Sequence, residues 1–200
     1  MKNFSEKKKT FVYIAITLLA KIILPLVFRI EVNGIKNLPQ RGGFILLPKH
    51  QRWEDVPLLS VAIPRLLYFI AKYELFSNSV SRYVLSSLGG IPLNRKTPLK
   101  SREELIRMLE LLSNGQGIVI FPEGTYFRDE MGRGKMGLIK MILSRRMVRF
   151  IPVGISYKRN GFPTNVRINI GRSIYGDASS DPEPFFRNIM NEIKQLSGLS

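Results

Sequence analysis

The chain has 200 residues, enough for one domain with a sizeable core, and no cysteine, which excludes disulfides, thiolate metal sites and a thiol nucleophile. Its single histidine excludes a His-rich zinc site. With 31 Lys and Arg against 15 Asp and Glu it carries a formal charge of +16, which favours anionic partners: nucleic acid, anionic lipid headgroups, phosphorylated substrates or an acidic carrier protein.

In chain order, Lys7, Lys8 and Lys9 precede an apolar run from Phe11 to Ile30, broken by Lys21, Pro25 and Arg29. As a helix, such a run reaches about 30 Å, roughly the thickness of a hydrocarbon core. Tyr13, Thr17 and Lys21 recur every fourth residue and so share one helix face. A lysine in mid-segment is costly at a bilayer centre but cheap where it snorkels to headgroups. The pattern favours a membrane-associated arm over residues 1–30, its helix lying in one leaflet or entering it obliquely. A plain transmembrane span comes next and a cleaved signal peptide third, since no small-x-small site precedes the folded part. A buried core helix is the bland alternative. The lysine triplet predicts an anionic membrane face, that of the inner or cytoplasmic membrane, with the site on the cytoplasmic side.

From residue 31 to 200 short apolar runs alternate with amphipathic segments. Strands are predicted at Phe44–Leu47, Leu66–Ile70, Gly90–Leu93, Ile118–Phe121, Arg149–Ile155 and Val166–Ile170, several bounded by Gly or Pro. Helices are predicted at Asp55–Ala62, Ser77–Leu88, Pro98–Leu112, Lys135–Leu143 and Pro184–Leu196. The fourth follows a Gly-rich turn and the last follows the start signal Asp181-Pro182. This alternation predicts an α/β domain: a single mixed, largely parallel sheet flanked by helices. No internal repeat or long linker divides it.

Three segments carry candidate chemistry. His50 precedes Asp55 in Lys49-His50-Gln51-Arg52-Trp53-Glu54-Asp55. Histidine is the default general base near neutrality, and a carboxylate on its second ring nitrogen fixes the tautomer. On a regular helix residues five apart point about 140° away from each other. If the pair touches, His50 therefore sits in the turn before a helix and Asp55 near the helix start, at the carboxyl end of strand Phe44–Leu47. Trp53 is expected to pack. The second segment, Ile118 to Phe121 running into Pro122-Glu123-Gly124-Thr125, is a strand that ends in a turn with one carboxylate and a hydroxyl. Exposed amides in such a turn can hold phosphate or an oxyanion, although a strand-ending turn with a capping Glu reads equally well. The third, Gly89-Gly90-Ile91-Pro92-Leu93-Asn94-Arg95, is a strand that ends in a cation suited to phosphate, weak by itself.

Taken together, His50…Asp55, Gly89…Arg95, Phe121–Thr125 and the apolar Ile151-Pro152-Val153 resemble, in order and separation, the motif series of the PlsC-type glycerolipid acyltransferases, the lysophosphatidic acid acyltransferases. The resemblance covers about residues 30 to 195. It implies that His50 deprotonates the acceptor hydroxyl while Asp55 orients the imidazole. It further implies that Arg95, beside Asn94, holds the acceptor's phosphate, that Glu123 and Gly124 shape the acceptor site, and that Thr125 assists. The implied reaction makes phosphatidic acid from 1-acyl-glycerol-3-phosphate, with acyl-ACP or acyl-CoA as co-substrate and no metal or other cofactor. Direct transfer without an acyl-enzyme agrees with the missing cysteine and the missing G-x-S-x-G turn. The chain departs from the family pattern at Lys49, where many members carry Asn or Ser, and at Tyr126-Phe127, where an Arg often stands. Lys135, in the basic turn Arg133 to Gly137, is a further candidate for the phosphate or the thioester partner. Another lysolipid, such as a lyso-ornithine lipid, is the nearest alternative acceptor. A non-catalytic basic membrane- or nucleic-acid-binding protein is the alternative of another class. No basic–aromatic recognition motif supports nucleic acid, and the apolar arm points to lipid.

Overall fold

The computed structural model describes residues 2–94, 102–158 and 161–199. Among the described residues eight strands form one sheet. They are β1 (Phe28–Asn33), β2 (Phe44–Pro48), β3 (Leu67–Lys72), β4 (Gly90–Leu93), β5 (Gly117–Val119), β6 (Val148–Lys158), β7 (Thr164–Ile170) and β8 (Ile174–Gly176). The order is β1-β7-β6-β2-β5-β3-β4, with β8 beside β6. Strands β6, β2, β5, β3 and β4 run parallel, as does β1 to β7; only β7 and β8 run against β6 among the described pairs. The sheet is thus mixed and largely parallel, as expected.

Among the described residues six α-helices accompany it: α1 (Lys2–Val27), α2 (Asp55–Ala62), α3 (Ser79–Ser87), α4 (Arg102–Ser113), α5 (Gly137–Leu143) and α6 (Pro182–Leu196). The run Phe44-Ile45-Leu46-Leu47 has no polar alternation, which is the signature of a strand buried on both faces. Ile45 and Leu47 join Ile118 and Phe150 under α4, α5 and α6, where Met108, Ile142 and Ile189 close the layer. Phe44 and Leu46 join Val119, Phe121 and Ile151 under α2, through Leu58 and Leu59. Because β2 to β6 share a direction, their carboxyl ends open on one edge of the sheet, the usual position for a site.

Two strands were not expected. The segment Phe28-Arg29-Ile30-Glu31-Val32-Asn33 alternates apolar and polar residues and pairs in parallel with β7, so the helical arm ends at Val27 and residues 28–30 belong to the sheet. Strand β8, three residues long, is too short to leave a periodic signal. Strand β6 also runs three residues beyond the predicted Ile155, and this extension carries Tyr157. The predicted helix at Pro98–Leu112 begins outside the described residues. No helix among the described residues is long and apolar enough to cross a membrane.

Candidate active site

Strand β2 is followed by a turn, residues 49–54, that leads into α2. The amide of Lys49 still donates to the Val153 carbonyl at 2.9 Å, so the turn starts from a fixed point on the sheet. His50 lies in this turn and Asp55 is the first residue of α2, as the spacing requires. The imidazole Nδ1 stands 3.0 Å from Asp55 Oδ2. Asp55 has no exposed surface, and a buried carboxylate persists only with donors around it. Oδ2 also accepts the amides of Gln51 at 2.7 Å and Arg52 at 2.9 Å, while Oδ1 accepts the Tyr157 hydroxyl at 2.6 Å. A carboxylate at Nδ1 selects the tautomer that carries its proton there, which in the neutral ring puts the lone pair on Nε2. The ring stacks on Phe121 at 3.7 Å, Tyr126 tilts against it at 4.4 Å, and 12% of the side chain stays exposed.

The second constellation sits beside the first, joined to it by the His50 amide. Glu123 is buried, and its carboxylate is consumed internally. Lys49 Nζ lies 2.8 and 2.9 Å from its two oxygens, the His50 amide donates to Oε2 at 2.9 Å, and the Gly132 amide donates to Oε1 at 2.8 Å. Lys49 also donates to the Phe127 carbonyl at 2.6 Å. Glu123 thus fixes the backbone of the histidine and the loop around it, with its oxygens turned to protein donors. Gly124 makes the turn possible, with φ at +71°. Thr125 is exposed next to it, and Lys135 is exposed while its amide donates to the Pro122 carbonyl at 2.7 Å, bringing the basic turn to the same loop.

Asn94 follows β4 on the same sheet edge, partly buried; Arg95 lies outside the described residues. Trp53 is 67% exposed, so the expectation that it packs is wrong. The turn is committed to Asp55, Glu123 and β6, which leaves the indole outward. Three residues with structural parts here were not singled out from the sequence. Lys49 was noticed only as a departure, and its partner stands 74 residues away. Gln51 bridges the Ile155 carbonyl at 2.6 Å and the Asp129 amide at 3.1 Å, tying loop to sheet. Tyr157 stands 102 residues from Asp55, and only a longer β6 would have brought it into view. Burial first, then the charge of Asp55 and the bond to it, push the Tyr157 phenol far above its ordinary pKa. Burial, with Asp55 and Glu54, also raises that of Tyr126.

Chemically, the arrangement presents one imidazole nitrogen, Nε2, at the sheet edge, backed by a buried carboxylate and bordered by a basic loop. The acyltransferase family model matches residues 29–156. A chloroplast 1-acyl-sn-glycerol-3-phosphate acyltransferase of Arabidopsis thaliana is 27% identical over 86% of this chain and 51% of its own length. A lyso-ornithine lipid O-acyltransferase of Pseudomonas aeruginosa is 31% identical over 72% of this chain and 54% of its own. The crystal structure of the 1-acyl-sn-glycerophosphate acyltransferase PlsC of Thermotoga maritima superimposes with a TM-score of 0.69 at 25% identity, covering 97% of this chain and 81% of that one. The chain spans about half the length of these curated relatives.

Proposed function

The chain belongs to the PlsC-type acyltransferase family, and from that premise we propose that it transfers a fatty acyl group from an acyl thioester to the sn-2 hydroxyl of 1-acyl-glycerol-3-phosphate, giving phosphatidic acid. The observation that carries the proposal is the His50–Asp55 pair with Nδ1 engaged and Nε2 available. Nε2 takes the hydroxyl proton as the oxygen attacks the thioester carbonyl, and Asp55 stabilises the imidazolium that forms. The tetrahedral intermediate then expels the thiolate, which receives that proton: one C–O bond forms, one C–S bond breaks, and the histidine is regenerated. The scheme uses no metal and no bound cofactor.

Acyl carrier protein and CoA both suit a chain of charge +16, since both are anionic. We assign the acceptor's phosphate to the basic surroundings of the site, Lys135 on the exposed loop and Arg95 in the sequence after β4, and give Asn94, Gly124 and Thr125 supporting parts in acceptor binding. Work at a membrane surface is supported by the outward apolar face of α1, where Ile14, Leu18, Leu19, Ile22 and Leu26 are exposed, and the inner or cytoplasmic membrane, with the site on the cytoplasmic side, by the basic run Lys7-Lys8-Lys9. The likeness to a lyso-ornithine lipid acyltransferase favours one second reading, a phosphate-free lysolipid acceptor.

Purified protein in detergent, given labelled acyl donor and a panel of lysolipids, tests both readings. His50→Ala is expected to lower kcat/KM by about 1,000-fold with the fold retained. Wild-type rates in that variant would refute the mechanism. Turnover confined to the phosphate-free acceptor would replace the first reading by the second.

A further inference from the structure

We propose that Tyr157, with Arg52 stacked on its ring, is a positioning residue for the catalytic pair: its hydroxyl occupies Asp55 Oδ1 and so sets how strongly Asp55 holds the imidazolium of His50. The proposal rests on the reading of His50 as the base, and it adds a residue that lies just past the segment matched by the family model.

The two oxygens of Asp55 are used unequally. Oδ2 receives the His50 ring and two backbone amides, whereas Oδ1 receives the Tyr157 hydroxyl at 2.6 Å. Each donor to a carboxylate withdraws charge from it, so the phenol competes with the imidazolium for the same anion. The phenol is held in place from both sides. Phe28 meets its ring edge-on at 6.4 Å, and the Arg52 guanidinium lies 4.5 Å from its centroid. Among the described ion pairs none involves Arg52, and its Nε is buried without a hydrogen-bond partner. Its charge is therefore presented to the tyrosine ring, where a cation makes the hydroxyl a stronger donor. Burial keeps the phenol protonated, so it donates throughout the working range.

Other charged groups do not supply this influence. From the histidine's own turn come Lys49, Arg52 and Glu54; from the loop after β5 come Glu123 and Tyr126; from β6 comes Tyr157. Lys49 and Glu123 neutralise each other in a buried pair. Glu54 bears on both tyrosines and opposes Arg52. Arg52 is the cation left to polarise Tyr157.

Tyr157→Phe deletes one oxygen and tests the assignment. With one donor fewer, Asp55 holds the imidazolium more tightly. The acid limb of kcat/KM is expected to move up by roughly half to one pH unit, with KM for each substrate changed by less than about 2-fold. Arg52→Gln is expected to move the limb the same way by less. The double variant is expected to go no further than Tyr157→Phe, because Arg52 acts through the ring. A merely structural role would lower Tm and leave the limb in place, and that result would overturn the proposal. If Tyr157→Phe does not fold, the limb of Arg52→Gln decides by itself. His50→Ala, run alongside, separates the two levels: an inactive His50→Ala with an unmoved limb in Tyr157→Phe sinks this proposal alone, whereas an active His50→Ala removes the base on which it depends.

Discussion

Lys49 and Glu123 face one another with no exposed side-chain surface, 2.8 Å apart, and between them they hold the His50 amide, the Phe127 carbonyl and the Gly132 amide. Removing one member of a buried pair leaves an uncompensated charge, which costs about 3–5 kcal/mol, more than most surface ion pairs supply. Lys49→Met is therefore expected to lower unfolding stability by that amount in urea, and to lower kcat because the backbone of the base loses its anchor. The double variant Lys49→Met with Glu123→Leu is expected to recover most of the stability, since an apolar pair of similar volume carries no desolvation penalty. A Lys49→Met protein within about 1 kcal/mol of wild type would contradict the assignment. This residue scale also shows what a sequence discloses. His50 and Asp55 were legible because their segment joins three others in an order that resembles a known motif series, and because a pair five residues apart, if it touches, needs a turn entering a helix. Lys49 and Tyr157 were not, because their partners stand 74 and 102 residues away and nothing in either neighbourhood names the other.

At the scale of elements, the site depends on how β6 is held. This strand supplies the carbonyl of Ile155 to Gln51 and the hydroxyl of Tyr157 to Asp55, so a shift in β6 reaches the catalytic pair from behind. Helix α6 lies against β6 at Gly154, where an added Cβ would stand 2.2 Å from the Leu196 carbonyl carbon. That neighbour is backbone and cannot rotate away. Gly154→Ala must push the helix end from the sheet or bend the strand, at about 2 kcal/mol, and is expected to lower Tm by roughly 4–8 °C. Gly137→Ala, at the exposed start of α5 with nothing near its Cβ, is the matched control and is expected to leave Tm unchanged or slightly higher. Equal melting of the two variants would show that α6 does not dock as tightly as its geometry states. The strand itself was readable from its apolar run, and α6 from its Asp181-Pro182 start, but their contact was not. A glycine within a strand signals a bulge, a bend or a close approach equally well, and only the packed helix selects among them. Similarly, β1 hid behind the apolar arm because its period-two pattern follows a helical run without a break.

The whole molecule has an inverted helix on its surface. Among the described side chains of α1 the half-buried ones are Thr17, Ala20 and Leu24, two of them small, whereas Ile14, Leu18, Leu19, Ile22, Ile23 and Leu26 are exposed. A helix whose only neighbours are protein and water turns its large apolar residues inward; this one turns them out. Nearby α3 adds exposed Val80, Tyr83 and Val84, and the segment before it adds Tyr73 and Leu75. Against a lipid surface this distribution is favourable, and the net charge of +16 adds attraction to anionic headgroups. Burying one leucine or isoleucine contributes about 1.5–3 kcal/mol, and a carboxylate in its place adds a penalty. Leu18→Glu with Ile22→Glu, one turn apart on the same face, is therefore expected to lower partitioning onto vesicles containing phosphatidylglycerol by at least about 100-fold. Activity on a short-chain, water-soluble lysolipid is expected to persist, because neither residue reaches the His50 turn. Raising salt should weaken wild-type binding only in part, since the apolar contribution is not screened. Sedimentation of the double variant with vesicles at wild-type levels would show that the outward face of α1 serves some surface other than lipid.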